Sequence, residues 1–469
     1  MKKNILIISL IAVFILGSFT FAFASLLPQR DNILFSETVL FGDPKAAEGL
    51  FLNYRNHYEY HLFWDTAWTI GTPADTAVTD YRFTAKEDRE EPNMEPAITL
   101  ESHDFNRYEV DGKPSGLKKA FDELAETAKP DAENIRQIHI ANYYQYYPIS
   151  GTLNLPGLKE IKWDDTYYAV LKQTNLDDEY KHIIDTMKVF QDYFKIPVLP
   201  NDTMEIQVRV NSQGDVTSTR TGYGTDTLYS IETESVVTED TCYFTFGTRS
   251  WDGQFVDTSQ IPGGYGIYAL PYSADSIQPE NLSMVYPLDP KAQVIRMELN
   301  HDESSMFLFT SEPDGYYFTE IEMDSMRTLQ RLCINDPYLI YDDMMHVTDD
   351  YFAFYGVDNN DVRGFRIFSR GADGKFQFDF LIPSPTDKER EFFNFYSEAT
   401  FAYDGKRAAL TGTAVSTSIW SSAFTVAVYD KTGMLYCGEY NTGQNCRESS
   451  QGRYDCVPVA NQLAEISWN

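Results

Sequence analysis

From residue 204 onward, apolar and polar residues alternate with a period of two along most of the chain, which is the pattern of β-strands that bury one face. Three segments, residues 294–332, 338–382 and 392–440, repeat one arrangement: a strand, an acidic turn, a second strand, a polar turn and two more strands. Gly and Asp residues in the turns suit the backbone angles that tight hairpins require. Four strands per repeat predict the blades of a β-propeller.

The acidic turn of the repeat can be followed along the whole chain, at Asp65, Asp164, Glu239, Asp302, Asp349 and Asp404. The first interval is long enough for a further blade near His103 and Asp104, or for one blade with a helical insertion. We therefore expect an all-β fold, a single β-propeller of about seven four-stranded blades over residues 28–469, although six or eight blades would also fit. The tail, residues 456–469, predicts a last strand that pairs with the N-terminal strands and closes the ring.

Two stretches depart from the alternation and have the spacing of short helices inserted into the β-fold. The first, over residues 113–131, has Ser115 as a candidate N-cap and apolar residues every three to four positions. The second, over residues 176–194, has Asn175 as a candidate N-cap and three acidic residues in its first turn, where the helix dipole favours them. We expect the apolar face of the second helix to pack against the body of the fold, with a partner-binding groove as the alternative.

The N-terminus predicts the compartment. Residues 1–4 are MKKN, and residues 5–27 form an uncharged, mostly apolar run that predicts a helix. This run is long enough to cross a bilayer as an uncleaved anchor, but Ala22, Phe23 and Ala24 also form a site at which a signal peptidase could cut after Ala24. Both interpretations place residues 28–469 outside the cytoplasm, either at the cell membrane or secreted. The short leader is typical of a bacterial protein.

Composition and charge exclude some classes of partner. The chain has 469 residues, of which 43% are hydrophobic and 15% aromatic, enough for a large core built from sheets. The net charge of −32 would repel phosphate backbones and therefore argues against nucleic-acid binding. The carboxylates either form a solvated acidic surface or converge in part on a divalent cation such as calcium. The most suggestive acidic loop, residues 356–364, is better explained as a hairpin turn.

One group of side chains has metal-binding chemistry. His57, Glu59 and His61 alternate along a predicted strand and would share one face. Imidazole and carboxylate groups on one face could hold zinc or another transition metal, although a solvent-facing row explains them as well. No other cofactor is predicted.

Five cysteines are present, and three of them cluster near the C-terminus. Cys446 and Cys456 are the favoured disulfide pair for an extracytoplasmic chain, with Cys437–Cys446 or free thiols as alternatives. Cys242 and Cys333 lie in or beside predicted strands and are expected to be buried thiols. The cysteine spacing does not match that of a zinc site.

The sequence contains none of the common catalytic motifs: no G-x-S-x-G, no phosphate-binding loop, no dinucleotide fingerprint and no H-E-x-x-H. The segment RSWDGQF around Trp251 has only part of the repeated box of sialidase propellers. Two hypotheses remain. The first is a non-catalytic, monomeric scaffold of the bacterial envelope that binds a protein, peptide or glycan through Tyr- and Trp-rich turns. The second is an extracellular hydrolase or lyase acting on glycans, with an acidic, calcium-assisted site at the channel.

Two of the repeats, FAYDGKRAALTG at 401–412 and LNHDESSMFLFT at 299–310, resemble the repeat of TolB-type propellers. The Ser-Pro of that family's turn is replaced here by Ala402-Tyr403 and Asn300-His301. The resemblance implies a propeller scaffold that binds other envelope proteins or ligands. It implies no reaction and identifies no functional residue.

Overall fold

The fold is taken from a computed structural model. It describes residues 13–21, 36–58, 62–83, 97–101, 105, 109–110, 113–158, 160–163, 178–222, 229, 231, 233–250, 253–273, 276–334, 337–391, 393–394, 400–414, 423–441 and 463–468. The chain divides into two compact units, which we call unit 1 (residues 1–92 and 336–469) and unit 2 (residues 93–335). The prediction of one domain over residues 28–469 stays a prediction.

Unit 1 contains three antiparallel sheets in its described residues, with strands numbered along the chain. The first has the order β31 (Leu463–Trp468), β2 (Leu50–Tyr58), β3 (Leu62–Thr69) and β4 (Val78–Phe83). The second has the order β22 (Pro337–Val347), β23 (Tyr351–Asp358), β24 (Arg363–Arg370) and β25 (Phe376–Pro383). The third has β1 (Ser36–Gly42), β30 (Gly433–Asn441), β29 (Ala423–Asp430) and β28 (Ala408–Ala414), with β26 (Phe393–Asn394) and β27 (Phe401–Tyr403) both paired to β28.

The C-terminal strand pairs with an N-terminal one, as the tail pattern predicts. β31 runs antiparallel to β2, with Leu50 opposite Trp468 and Leu52 opposite Ile466. Because this strand covers the edge of β2, the first sheet of unit 1 is assembled from both ends of the chain. Closure of a complete ring and the number of blades stay predictions.

Unit 2 contains four sheets of three or more strands, and one hairpin, in its described residues. The first two are β10 (Ile161–Trp163), β9 (Ser150–Leu153) and β5 (Ile98–Glu101), and β12 (Val216–Gly222), β11 (Thr203–Val210) and β8 (Glu133–His139). The third comprises β13 (Thr233–Val237), β14 (Thr241–Phe246), β15 (Gly266–Ser273), β16 (Ser276–Ile277) and β17 (Ser283–Pro287). The fourth comprises β18 (Gln293–Leu299), β19 (Ser305–Glu312), β20 (Gly315–Glu322) and β21 (Arg327–Ile334), and the hairpin pairs β6 (Glu109–Val110) with β7 (Lys113–Pro114).

The three repeats predicted between residues 294 and 440 each form an antiparallel sheet of at least four strands joined in sequential order. Their acidic turns join the first two strands: Asp302 lies between β18 and β19, Asp349 between β22 and β23, and Asp404 between β27 and β28. Glu239 has the same place between β13 and β14. The prediction was wrong for Asp65, which lies within β3 opposite Arg55 and Asp80. Asp164 lies outside the described residues.

Three helices are described. Residues 13–21 form α1, and no helix among the described residues is long and apolar enough to span a membrane. α2 (Gly116–Ala125) begins where predicted, because the Ser115 hydroxyl accepts the N–H of Lys118 at 3.0 Å. α3 (Asp178–Tyr193) buries Ile184, Met187 and Phe190 in the core of unit 2, which confirms that its apolar face packs on the fold. Asn175 lies outside the described residues. Short 3-10 turns occupy Pro44–Ala47, Ala74–Thr76, Ile140–Asn142, Pro279–Asn281 and Glu389–Glu391.

Aromatic side chains dominate the cores. In unit 2 the Phe194 ring lies 5.0 Å from Tyr268 and 5.4 Å from Phe246, between α3 and the β13–β17 sheet. In unit 1 the Phe424 ring stacks on Tyr440 at 5.6 Å, between the β28–β30 sheet and the sheet of β2 and β31. Aromatic pairs at these separations contribute stability beyond that of their buried area, so aromatic packing helps to stabilise the core of each unit.

Candidate functional site

A long loop joins β14 to β15 in unit 2 and runs from residue 247 to residue 265. Connections longer than about 12–15 residues without secondary structure are uncommon in compact domains, and they are usually either functional loops or flexible linkers. All of this loop except residues 251 and 252 is described. It is the candidate functional site of the described residues.

Hydrogen bonds from buried side chains fix the base of the loop. The Thr248 hydroxyl donates to the carbonyl oxygen of Pro290 at 2.7 Å and accepts from Gln293 Nε2 at 2.8 Å. The Val256 N–H donates to the carbonyl of Thr248 at 2.9 Å, so the chain returns on itself. Ser250 N donates to the carbonyl of Gln254 at 2.7 Å and closes the tip. These bonds tie the described residues at the base of the loop to each other and to the segment around Pro290.

The second half of the loop rests on the aromatic core. Val256, Ile261 and Tyr265 are buried. The Tyr265 hydroxyl donates to the carbonyl of Phe246 at 2.7 Å, and the Tyr268 hydroxyl donates to the carbonyl of Gly264 at 2.8 Å. Burial raises the pKa of both phenols well above its usual range, so they act only as neutral hydrogen-bond donors. The loop is therefore anchored at both ends.

The outer side of the loop exposes an aromatic ring beside a cation. The Phe255 side chain is 36% exposed, and the Arg249 guanidinium carbon lies 5.9 Å from the centre of its ring. The backbones of these two residues form an isolated antiparallel bridge. Gly253 makes the turn between them with φ of +86°, and a Cβ atom there would approach Arg249 Nη2 to 3.0 Å. A side chain at residue 253 would therefore disturb both the turn and the guanidinium.

Other side chains with hydroxyl and amide groups are hydrogen-bonded to the second half of the loop. Gln145 Nε2 donates to the Tyr146 hydroxyl at 3.1 Å, and that hydroxyl donates to Gln260 Oε1 in the loop at 2.9 Å. The Tyr193 hydroxyl, at the end of α3, donates to the carbonyl of Pro262 at 3.2 Å. Burial raises the pKa of the half-buried Tyr193. We use the name loop surface for six residues: Gln145, Tyr146, Tyr193, Arg249, Phe255 and Gln260.

The charge on the loop surface differs from that of the chain as a whole. Arg249 forms no ion pair with any carboxylate among the described residues, and its described contact is the Phe255 ring. By contrast, Arg331 lies 2.8 Å from Glu312 and Arg407 lies 2.8 Å from Asp404. In a chain with 70 carboxylates and 38 Lys and Arg residues, a cation without a described carboxylate partner is available to an anion.

The metal candidates are not brought together in the described residues. His57 lies in β2 opposite Phe63, and its side chain is outside the described part. Glu59 and His61 are wholly outside it. Within the residues that the structure describes, no group of three or more His, Cys, Asp or Glu side chains could hold a metal ion. The zinc and calcium hypotheses therefore gain no site here.

The acidic turns use their carboxylates to shape the backbone. Asp358 Oδ1 accepts the N–H groups of Asn360 and Val362, each at 2.8 Å, in the hairpin between β23 and β24. The interpretation of residues 356–364 as a hairpin is thus confirmed. The same bond, from a carboxylate to the N–H two residues later, forms at Asp43, Asp257, Asp289, Asp302, Asp373, Asp404 and Asp430. Part of the acidic composition is therefore accounted for by turn formation.

Two of the five cysteines lie outside the described residues, and three lie within them. Cys446 and Cys456 lie outside the described residues, so their disulfide stays a prediction. Cys242 and Cys437 carry free thiols, which does not fit the alternative pairing of Cys437 with Cys446. Cys242 and Cys437 are buried, and desolvation raises the pKa of each thiol to about 12. Thiols of this kind pack as small apolar groups and are unreactive.

Sequence reasoning singled out the segment around Trp251 but did not identify the loop surface. Trp251 itself lies outside the described residues. The signal that could have found the loop is the lack of period-two alternation from 247 to 265, between two strongly alternating strands. The pairing of Tyr146 with Gln260 joins segments that are far apart in sequence, so no local pattern predicts it.

No protein-family model matches the chain, and no curated protein matches it. Solved structures that are similar to it include TolB from Acinetobacter baumannii, with 7% identity, a TM-score of 0.26, and coverage of 88% of this chain and 66% of TolB. A protein from Lactobacillus plantarum has 11% identity and a TM-score of 0.28, with coverage of 88% of this chain and 97% of that protein. The weak resemblance to TolB that the repeats predict is thus also found by comparison of structures.

AofleA from Arthrobotrys oligospora has 11% identity and a TM-score of 0.26, with coverage of 52% of this chain and 62% of AofleA. For a variant of AofleA the covered share of that protein is 58%. The chain therefore spans less than two thirds of the AofleA structures. At these TM-scores the similarities support no statement about function, which rests on the residues of this chain.

Proposed function

We propose that this chain is a non-catalytic binding scaffold of the bacterial cell envelope, with its body outside the cytoplasm. Its sheets hold the loop surface in one shape, and a ligand binds there. The apolar leader at residues 5–27 supports export, either as a membrane anchor or as a signal cleaved after Ala24.

One observation carries the binding role. An anchored loop exposes Phe255 with Arg249 beside it, and the partly exposed Tyr146 and Tyr193 are hydrogen-bonded to the same loop. Aromatic and Arg side chains are enriched at the energetic centres of binding interfaces, because they supply large contact areas and directional polar groups. Held in place by the loop, these groups lose little conformational freedom when a ligand binds.

The test is a capture experiment with the full-length chain in extracts of the producing organism's envelope. The double variant Arg249→Ala/Phe255→Ala is compared with the wild type and with Phe378→Ala, a control that removes an exposed Phe from β25. We expect the envelope component captured by the wild type to be lost with the double variant and retained by the control. Equal capture by all three would overturn the assignment of the loop surface as the binding site.

A further inference from the structure

The proposed function leaves the ligand unspecified, and the following step rests on it. We infer that the loop surface binds an acidic polysaccharide, a chain of sugars that carry carboxylate groups. Arg249 binds the carboxylate, Phe255 contacts the apolar face of a sugar ring, and the amide of Gln260 binds ring or hydroxyl oxygens.

The first argument concerns hydrogen-bond direction. The Tyr146 hydroxyl donates its proton to Gln260 Oε1, so that oxygen is occupied and the Gln260 Nε2 group remains as a donor without a described partner. The guanidinium of Arg249 has five N–H donors and no acceptor. The loop therefore offers donors at two of its exposed positions, which suits a ligand rich in oxygen acceptors.

The second argument concerns charge. A cation without a described carboxylate partner, in a chain of net charge −32, attracts an anion, and the acidic surface elsewhere repels it. A ligand with a single negative charge beside Arg249 should therefore bind more tightly than one that is anionic throughout its contact area, because the second is repelled by the acidic surface. This favours acidic groups spaced along an otherwise neutral chain over a densely charged polyanion.

The third argument favours sugars over an acidic peptide. An extended peptide presents N–H donors along its backbone and is usually bound through an exposed strand edge. The loop surface is not part of a sheet edge, because Arg249 and Phe255 form only an isolated bridge. An exposed aromatic ring beside a guanidinium donor is instead suited to the C–H face of a sugar ring and the carboxylate it carries.

The experiment measures binding of defined oligosaccharides to the full-length protein by calorimetry. The acidic probes are oligosaccharides of hyaluronan, with a carboxylate on alternate sugars, and partly methyl-esterified oligogalacturonate. Unesterified oligogalacturonate and alginate are the densely charged probes, fully methyl-esterified oligogalacturonate is the neutral probe, and poly-glutamate is the peptide probe. We expect at least one acidic oligosaccharide to bind, with an affinity that falls as salt is raised. Its fully methyl-esterified or neutral counterpart and poly-glutamate should bind about tenfold more weakly or not at all, because a charge-assisted bond is lost or misplaced.

The variants assign the contacts. Arg249→Gln should weaken binding about tenfold or more through loss of the charge-assisted pair, and Phe255→Leu should weaken it by removing the ring. Arg220→Gln is the matched control, since Arg220 is an exposed arginine of β12 in the same unit and has no described carboxylate partner. Melting temperatures equal to that of the wild type establish that each variant is folded.

The outcomes separate this inference from the proposed function. Binding by none of the acidic oligosaccharides, equal binding of the full methyl ester, or equal binding of poly-glutamate would each overturn the polysaccharide assignment. Suppose the oligosaccharide test fails in one of these ways but the Arg249→Ala/Phe255→Ala variant still loses envelope capture. The ligand class is then wrong, while the proposed binding function stands. If envelope capture is unaffected by that variant, the proposed function itself fails.

Discussion

The hydroxyl oxygen of Tyr436 lies directly over Gly438, two residues further along β30, at a place that a Cβ atom on residue 438 would occupy. That oxygen is held 2.5 Å from Glu37 Oε1 on β1 and 2.6 Å from the Tyr440 hydroxyl. Glycine at position 438 therefore lets a tyrosine fold back along its own strand and join the edge strand to the core. This arrangement is one of the determinants of how β1 is attached to unit 1.

We predict that Gly438→Ala destabilises the protein by about 1–3 kcal/mol, because the methyl group forces the Tyr436 ring out of its place. Denaturant unfolding measures the free-energy change. In a Tyr436→Leu background, which lacks the hydroxyl, the same substitution should cost less, and the difference is the coupling between the two residues. Equal costs in both backgrounds would contradict the proposed clash.

The C-terminal strand gives a second prediction. Ile466 is buried on β31, and its replacement by Ala should cost about 2–5 kcal/mol because a cavity forms against the core of unit 1. Ser467→Ala, at the neighbouring and less buried position, is the control and should be nearly neutral. Thermal melting followed by circular dichroism checks both. A wild-type melting temperature for Ile466→Ala would show that packing of the Ile466 side chain against the core of unit 1 contributes little to stability.

The acidic turns give a third prediction. Asp430 Oδ1 accepts the Thr432 N–H at 2.7 Å in the turn between β29 and β30. Asp430→Asn keeps an acceptor oxygen and should leave stability nearly unchanged, whereas Asp430→Ala should lower the free energy of unfolding by about 1 kcal/mol, the usual net value of one hydrogen bond. Equal destabilisation by Asn and Ala would indicate that the charge matters rather than the turn geometry.

Alkaline pH gives a fourth prediction. Burial raises the pKa of Tyr265, Tyr268 and Tyr440 above that of an unfolded tyrosine. The native state therefore keeps protons that the unfolded state releases above about pH 10, so the free energy of unfolding falls as pH rises further. Absorbance at 295 nm should show a group of tyrosines that ionise only together with loss of the near-ultraviolet circular dichroism. Smooth ionisation of all tyrosines near pH 10 in a folded protein would contradict this.

The sequence predicts the sheets of residues 294–440 well because each is a run of neighbouring strands joined by short turns. Their pairing follows chain order, and Asp302 and Asp404 mark the first turns. It also predicts α2, since the Ser115 cap and the spacing of Leu117, Phe121 and Leu124 are local features.

Residues 98–222 could not be predicted in the same way. β8 does not pair with β9, the next strand along the chain. It pairs with β11, where His139 lies opposite Thr203. Such a pairing depends on packing between distant segments rather than on alternation within one of them. Asp65 was misplaced for a related reason: an acidic residue within a strand has the same local appearance as one in a turn.

The candidate site was harder to predict from the sequence than the fold. The absence of catalytic motifs and the wealth of tyrosine predicted a binding role in general terms. The choice of Arg249 and Phe255 depends on an arginine without a described carboxylate partner that lies beside an exposed aromatic ring, and this pairing is a property of the folded chain.

The most direct test of the loop surface is photo-crosslinking in the living producer. A benzoylphenylalanine residue is placed at position 255 of the full-length chain and, as controls, at Val216 and Phe378, which are also exposed. After irradiation, we expect an envelope component to be attached to the protein from position 255 and not from the controls. Attachment at the same level from all three positions, or from the controls alone, would contradict the claim that this loop is the binding site.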